Sequence, residues 1–388
     1  MAIFNKPGGS IARTVFGVAL ILTFLCLFSS CTNKQERNQT NQEAEDTLSS
    51  AVEESFVKGI YGNPAGLLKA GHSLRGLGIN AIFVHRGSIN EELMVTAKKE
   101  GLKVYAEFPL LNGKDYLKDN EEAWPIDSNG NKSPKADWFM GICPNNPDFK
   151  DFRRQQLSDL MGKFDLDGVW LDYVHWHAQF EDPEPILPET CFCEHCLKKF
   201  SDDTGLIIPE GNVKSRASWI LSNEDSQWRA WRRDVIIEWV AEFKNLLNEH
   251  KPGALLGVYY CPWYPEEYDS AEYRILGLDH AALYKTADVL SPMIYHGRMG
   301  RKPTWTKEFL QWFNEEIVSK NGKGAAIWPI IQASDEPVRI SPEEFRQVMI
   351  DATAPPSTGV MMFSTGALNE DPEKVEVMKQ IYVGKTTP

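Results

Sequence analysis

Short runs of β-branched and aromatic residues alternate along the chain with amphipathic stretches of helical period. Eight such runs occur, at 56–62, 79–85, 103–108, 167–173, 254–260, 288–295, 325–331 and 358–364. Each run is followed by a stretch typical of a helix, and SPEEF and DPEKV carry the cap residue, the proline and the early acids with which helices begin. The pattern therefore predicts eight strand-then-helix units.

Eight such units over about 330 residues predict an α/β fold, the (β/α)8 TIM barrel, whose usual size is about 250 residues with room for insertions. We expect the barrel over 54–388, with a cysteine-containing insertion at about 174–225, after the fourth strand. A doubly wound open sheet is the rival, because it shares the alternation. No GxGxxG or GxxxxGK[ST] motif follows the first strand, which removes the main nucleotide-binding reason to prefer that rival.

The N-terminal segment carries a targeting pattern. Lys6 and Arg13 precede an uncharged stretch at 14–30, and small residues come directly before Cys31, an order typical of a secretory signal. The ending FSSC resembles the lipobox of bacterial lipoproteins, in which Cys31 would carry the lipid. A single membrane anchor is the alternative, since the run is close to the lower limit of about 17 residues for a span.

The polar stretch that follows, 32–53, lacks the apolar residues that would offset the entropy of ordering, so we expect a flexible tether. Together with the signal, it predicts a lipid-anchored protein of the bacterial cell envelope, in the outer membrane or the periplasm. The formal charge of −13, from 54 acids against 41 bases, argues against nucleic acid as a partner, because phosphate binding needs clustered Lys and Arg.

Acids at strand ends are the candidate catalytic groups, because a barrel carries its active site at the C-terminal ends of its strands. Alternation in the fourth strand points Asp172 toward the barrel axis, and alternation in the third strand does the same for Glu107. Paired carboxylates at an aromatic rim suit glycosidic cleavage, in which one donates a proton and the other attacks or stabilises the reacting carbon. We expect Asp172 as nucleophile or electrostatic stabiliser and Glu107 as general acid.

The identity of the general acid stays open, because Glu266 and Glu267 follow the fifth strand at the same face of the barrel. An aspartate after a strand also often caps the next element or pairs with an arginine. Other side chains near the strand ends are expected to contact substrate, and aromatic rings among them offer flat faces for sugars. These candidates are Tyr295, His175, Trp263, His85, Tyr260 and Gln332.

The segment DGVWLDY resembles the fourth-strand motif of several glycoside hydrolase barrels, among them polygalactosaminidase-like enzymes and uncharacterised glycosyl hydrolase-like families. It is more distantly similar to the chitinase-like family 18 signature DGxDxDxE, whose first and third acids match Asp167 and Asp172. Trp170 and Val174 replace the other two acids, so the chitinase proton donor is missing. SPMIYH, GVMMFSTG and ICPNNPDFKDF are similar to further segments of these barrels, and the resemblance implies a substrate-positioning role for Tyr295.

The insertion contains TCFCEHCLKKF, with Cys191, Cys193 and Cys196 close together. Together with one histidine or a fourth cysteine they would form a closed tetrahedral zinc site, and Cys143 is a candidate for the fourth cysteine. CFCEHCLKKF is similar to cysteine clusters on barrel loops of some sugar hydrolases. Disulfides are the competing explanation in an exported protein. We therefore expect either a structural zinc or partial disulfide pairing, and no cofactor for catalysis.

These observations predict a glycosidase that acts on a poly- or oligosaccharide at the cell envelope, with a carbohydrate substrate and a membrane contact through its lipid. One alternative is a glycan-binding barrel lipoprotein without catalysis. Another is a metal-dependent hydrolase that acts through a metal-bound water, with His85, His175, His177 and Asp172 as ligands.

Overall fold

A computed structural model describes residues 56–384. The predicted signal peptide, the cysteine predicted to carry the lipid (Cys31) and the whole predicted tether lie outside these residues. Among the helices within them, none is both long and apolar enough to cross a membrane.

Eight parallel strands form the centre of the fold, and they are β1 (Val57–Tyr61), β2 (Ala81–His85), β3 (Lys103–Pro109), β4 (Gly168–Asp172), β5 (Leu255–Tyr260), β6 (Val289–Ile294), β7 (Ala326–Ile327 and Ile330–Gln332) and β8 (Gly359–Phe363). Each strand pairs with the next, and β8 pairs with β1, so the sheet closes. β7 is interrupted at Trp328 and Pro329, since proline has no N–H to give to the ladder. The predicted (β/α)8 barrel is confirmed.

Helices follow the strands, and the longer ones are Glu91–Glu100, Pro147–Lys163, Asp225–His250, Trp305–Phe313, Pro342–Ala352 and Pro372–Gly384. Two more, Glu194–Thr204 and Val213–Asn223, lie in the insertion after β4. The N-cap side chains of Asn90, Asn146 and Ser341 each accept a hydrogen bond from the backbone N–H three residues later. These caps fix where the helices begin, close to the bounds that the pattern predicts.

Aromatic side chains fill the lower part of the barrel. Trp170 of β4 stacks on Trp328, with ring centroids 5.4 Å apart, and packs against Tyr105 at 4.5 Å. The Trp170 indole N–H donates to Ser291 Oγ at 3.0 Å. A Cβ at position 257 would come within 2.1 Å of the Trp170 ring, so only glycine fits opposite it. This layer closes the barrel from below and leaves the inward positions above it for a cavity.

Candidate active site

A cavity of about 270 Å³ lies at the C-terminal ends of the strands, which is near the lower end of the roughly 300–1,000 Å³ typical of small-ligand sites. Its lining from the strands consists of Tyr61, Asp172, Tyr259, Met293, Ile330 and Phe363. Its lining from the segments that follow strands consists of Trp138, Tyr173, Glu181, Tyr295 and Arg298. The lining thus combines two carboxyl groups and one guanidinium with a majority of aromatic rings.

Asp172 ends β4 and contributes its carboxyl group to the cavity. The chain turns sharply at Tyr173, whose φ is 56°, and the Tyr173 N–H donates to Asp172 Oδ1 at 2.8 Å. Burial raises the Asp172 pKa well above its usual range, and the charges of Glu107 and Glu181 raise it further, against the hydrogen bond from Tyr173. Asp172 therefore holds its proton at a pH where an ordinary aspartate is ionised.

Glu107 lies on β3, where it is only 3% exposed and does not line the cavity itself. The Tyr61 hydroxyl, which does line the cavity, donates to Glu107 Oε2 at 2.6 Å. Burial raises the pKa of Glu107, while this hydrogen bond and the charges of His85 and Arg86 lower it. The Tyr61 side chain would therefore link Glu107 to a molecule in the cavity. Glu107 affects the cavity in two ways: it orients the Tyr61 hydroxyl, and its charge raises the Asp172 pKa.

Glu181 is a cavity carboxyl that the sequence did not single out. It lies in the insertion after β4, on a turn closed by the bridge between Gln179 and Ile186. Its Oε2 is 3.2 Å from Arg298 Nε. The Glu181 pKa is raised, because the effect of burial outweighs that of the Arg298 charge, which lowers it. The insertion directly follows β4, so it begins at the C-terminal face of the barrel, where active sites lie. This position is the feature of the sequence that could have indicated a cavity residue here. The segment FEDPEP offers three acids, however, and only the fold selects among them.

Tyrosine and phenylalanine rings form the wall of the cavity. The Tyr61 ring lies 5.1 Å from Phe363 and 6.2 Å from Tyr259, and Phe363 lies 5.2 Å from Tyr295. Burial raises the pKa of the Tyr61, Tyr259 and Tyr295 hydroxyls, so they are neutral. The Tyr61 and Tyr259 protons already go to Glu107 Oε2 and to Met361 Sδ, so these two oxygens can accept hydrogen bonds from a bound molecule. Such a wall offers both flat apolar faces and hydroxyl groups to a polyhydroxylated ring.

Two aromatic candidates do not line this cavity, which corrects the expectation for them. Tyr260 is the neighbour of the inward-facing Tyr259, and strand alternation turns it outward, against His280 at 5.6 Å and Phe313 at 6.3 Å. Trp263 is 1% exposed and packs against Tyr268 at 4.4 Å. Both rings pack among other side chains, which is the usual role of large aromatic residues in a folded protein.

The two glutamates after β5 also lie outside the cavity. Glu266 is exposed. Glu267 accepts the backbone N–H of Tyr264 at 2.7 Å and pairs with Arg301 at 2.6 Å, so it holds its own loop together. Neither lines the cavity, and neither is placed to protonate a molecule bound there.

The remaining polar candidates surround the cavity without lining it. His85 is exposed at the end of β2, and its Nδ1 accepts from the Gly87 N–H at 3.1 Å. Gln332 is buried, and its Oε1 accepts the Arg298 N–H at 2.9 Å, so it supports the segment that carries Arg298. His175 borders a small adjoining recess, and burial lowers its pKa to about 4, so it is neutral.

Asp167, the first acid of the chitinase-like signature, lies at the opposite end of β4. Its Oδ2 accepts the Val104 N–H at 2.9 Å, and its Oδ1 pairs with Lys103 at the same distance. Its role is to join β3 and β4 at the start of the barrel, far along the strand from Asp172.

The histidines of the metal-dependent alternative are engaged elsewhere. His177 Nδ1 accepts the Gly141 N–H at 3.0 Å, and its Nε2 lies 2.8 Å from the Pro134 carbonyl oxygen. His175 Nδ1 lies 2.7 Å from the carbonyl oxygen of Trp176. Over residues 56–384, the side chains His85, His175, His177 and Asp172 do not converge into a set of metal ligands.

Four buried cysteines do converge, and they are Cys143, Cys191, Cys193 and Cys196. Their sulfur atoms all lie within 4.8 Å of one another, and Cys143 Sγ is 3.3 Å from Cys193 Sγ. The five cysteines of the described residues are free thiols, so the predicted partial disulfide pairing does not appear among them. The group could hold a metal ion.

Solved structures with the same fold include glycoside hydrolases. The glycoside hydrolase domain of PgaB (BpsB) from Bordetella bronchiseptica superposes with a TM-score of 0.65 at 12% identity, over 84% of this chain and 99% of that one. The β-galactosidase of the psychrophilic Marinomonas ef1 gives a TM-score of 0.61 at 11% identity, over 84% of this chain and 59% of that chain. The α-L-fucosidase isoenzyme 2 of Paenibacillus thiaminolyticus gives 0.51 at 12% identity, over 85% and 49%.

The chain therefore spans about half to three fifths of the galactosidase and fucosidase chains and nearly all of the PgaB domain. No protein-family model matches the sequence, and no curated protein matches it either. At these identities the likeness establishes the fold, a glycoside hydrolase-like TIM barrel.

Proposed function

We propose that the protein is a glycoside hydrolase that cleaves a poly- or oligosaccharide by acid/base chemistry. The observation that carries the proposal is the pair of carboxyl groups, Asp172 and Glu181, in one aromatic-walled cavity at the C-terminal mouth of the barrel. The shared fold with glycoside hydrolases supports it.

Asp172 is the proton donor in this proposal. The sequence predicted a nucleophile or an electrostatic stabiliser at this position, but burial and two neighbouring acids keep a proton on Asp172. A protonated carboxyl group is what the leaving glycosidic oxygen needs, because the oxygen must not depart as an alkoxide. Glu107 raises the Asp172 pKa when it is ionised, so in this proposal it favours the protonated form of Asp172 and is not itself the general acid that the sequence predicted.

The aromatic wall supplies binding. A sugar ring has a flat face of C–H groups, which stacks on rings such as those of Phe363 and Trp138, and hydroxyl groups, which pair with the tyrosine hydroxyls. The enclosed volume of about 270 Å³ suits one sugar unit, with the rest of a longer glycan outside.

We also propose that the four cysteines bind a structural zinc ion. Four thiolates around zinc at about 2.3 Å would be about 3.8 Å apart at tetrahedral angles, which agrees with sulfurs that all lie within 4.8 Å. Two donors already point at these sulfurs: the Ile126 N–H at 3.3 Å from Cys191 Sγ and Asn145 Nδ2 at 3.2 Å from Cys196 Sγ. The ion would cross-link the two chain segments that carry the cysteines, and it would support the cavity loops without contacting the substrate.

The targeting pattern supports an exported, lipid-anchored protein of the bacterial cell envelope. The test is expression of the full chain with a radiolabelled fatty acid. Incorporation in the wild type and its loss in Cys31→Ala would support the anchor. Equal labelling of both would reject it.

The proposed activity is tested with the wild type and Asp172→Asn on a panel of glycans and aryl glycosides. We expect turnover by the wild type and a loss of at least about 100-fold in the variant on glycans, because general acid catalysis contributes about 10²–10⁴-fold. Aryl glycosides with a 2,4-dinitrophenolate leaving group need no proton, so the variant should retain most of its turnover on them. Sugar binding by the wild type without turnover would instead identify a glycan-binding protein.

A further inference from the structure

The two carboxyl groups that line the cavity lie in different electrostatic surroundings. Asp172 has acids as neighbours, since both Glu107 and Glu181 raise its pKa. Glu181 has a cation as its neighbour, with Arg298 Nε 3.2 Å from Oε2. An acid/base pair needs this kind of asymmetry, because one member must start protonated and the other ionised.

Arg298 is itself fixed from three sides. Its backbone N–H donates to Gln332 Oε1 at 2.9 Å, and its guanidinium lies 5.9 Å from the centre of the Trp138 ring. Its Nε also approaches the Glu181 carbonyl oxygen at 3.3 Å. The arginine therefore binds both the backbone and the carboxylate of Glu181, which holds a loop residue in a defined position at the cavity.

One oxygen of Glu181 remains available. The ion pair with Arg298 uses Oε2, and across residues 56–384 no protein group hydrogen-bonds Oε1. Glu107 differs in this respect, because it does not line the cavity, and its Oε2 is already bound by the Tyr61 hydroxyl, which does. Of the two ionisable partners of Asp172, only Glu181 can touch a water molecule in the cavity directly.

We propose that Glu181 is the catalytic base that works with Asp172, an inference that rests on the hydrolase proposed above. Glu181 takes a proton from a water molecule as the water oxygen attacks the anomeric carbon. The bond from that carbon to the glycosidic oxygen breaks, and the leaving oxygen takes the Asp172 proton. The step consumes one water, leaves Glu181 protonated and Asp172 ionised, and ends when both exchange protons with solvent. The attack from the opposite face inverts the anomeric centre.

The test uses the full chain with Glu181→Gln, Glu181→Ala and the matched control Glu184→Gln, an exposed acid of the same turn. We expect Glu181→Gln to lower kcat by about 10²–10⁴-fold on 2,4-dinitrophenyl glycosides, and Glu184→Gln to equal the wild type. Azide is a nucleophile that has no proton to lose. It should therefore restore turnover of Glu181→Ala and give a glycosyl azide of inverted configuration, a product that a merely structural defect would not yield.

Several outcomes would overturn the inference. They are equal kcat for Glu181→Gln and Glu184→Gln, azide rescue of Glu107→Ala in place of Glu181→Ala, and retention of anomeric configuration in the wild-type product by proton NMR. In each of these cases the enzyme still cleaves glycosides, and the proposed function stands. Failure of the wild type to cleave any substrate on the panel would reject the proposed function together with this inference.

Discussion

The cavity has two halves of different origin, and they differ in how their side chains are held. The strand half, represented by Tyr61, Asp172 and Tyr259, projects from the closed sheet above a packed aromatic layer. The loop half, represented by Trp138, Glu181 and Arg298, depends on an ion pair and ring contacts. The comparison teaches that the proposed proton donor, Asp172, is fixed by the barrel, whereas its proposed partner, Glu181, is fixed by loops that need separate support.

That support for the loop half lies partly outside the cavity. The cysteine cluster joins the segment that precedes the helix Pro147–Lys163 to the insertion after β4. Trp138 lies five positions before Cys143, and Glu181 lies ten before Cys191. A zinc ion bound there, as proposed, would cross-link these segments and so limit the motion of both cavity loops.

The largest expected effect concerns the packed aromatic layer around Trp170, which lies beneath the strand half of the cavity. Trp170→Ala removes a fully buried ring from the barrel interior and should lower the free energy of unfolding by about 3–5 kcal/mol. Urea-induced unfolding of the variant and the wild type measures this difference in the free energy of unfolding. The control Ile207→Ala, at a position that is 88% exposed, should change it by less than about 0.5 kcal/mol. A small effect of Trp170→Ala would show that the layer does not support the site.

The next effect concerns the cysteine cluster, which lies next to the segments that carry the loop half of the cavity. Cys196→Ser should abolish binding of about one zinc per chain, measured by mass spectrometry of the native protein, and should reduce kcat while the far-UV circular dichroism of the barrel remains. The matched control is Cys261→Ser, a buried cysteine outside the cluster, which should keep the zinc. Full zinc content in Cys196→Ser would contradict the proposed site.

A smaller effect should follow from Tyr61→Phe, which removes the hydrogen bond to Glu107. A hydrogen bond to a charged group contributes about 1.5–3 kcal/mol, so the loss raises the Glu107 pKa and should lower kcat by about 10–100-fold. Since Glu107 must be ionised to hold the Asp172 proton, the acidic limb of the pH–rate profile should move to higher pH. Tyr260→Phe, on the outer face of the barrel, should leave the profile unchanged.

The smallest effect is on stability and depends on pH. The Asp172 pKa is raised in the folded state, so the wild type loses stability as pH rises from the ordinary value of about 3.9 through the folded pKa. Asp172→Asn carries no such proton, and its melting temperature relative to the wild type should increase over this window. A constant difference across the window would mean that Asp172 titrates normally.

Of the side chains that line the cavity, the sequence predicted Asp172 in the strand half and Tyr295 in the loop half, and it missed Glu181 and Arg298. Alternation in β3 and β4 gave the inward direction of Glu107 and Asp172, because side chains of a strand have a fixed period of two. The same period, applied to β5, turns Tyr259 inward and Tyr260 outward. The substrate role predicted for Tyr260 did not take this alternation into account. Loops have no such period, so Glu181 and Arg298, separated by more than 100 positions, could be paired only in three dimensions.

The central claim is that Asp172 carries a proton in the resting cavity. Infrared difference spectroscopy between the wild type and Asp172→Asn, at about pH 6, roughly two units above the ordinary pKa of about 3.9, tests it directly. The account predicts a protonated carboxyl stretch in the wild type that is missing in the variant. A difference spectrum that contains only ionised carboxylate bands would contradict it.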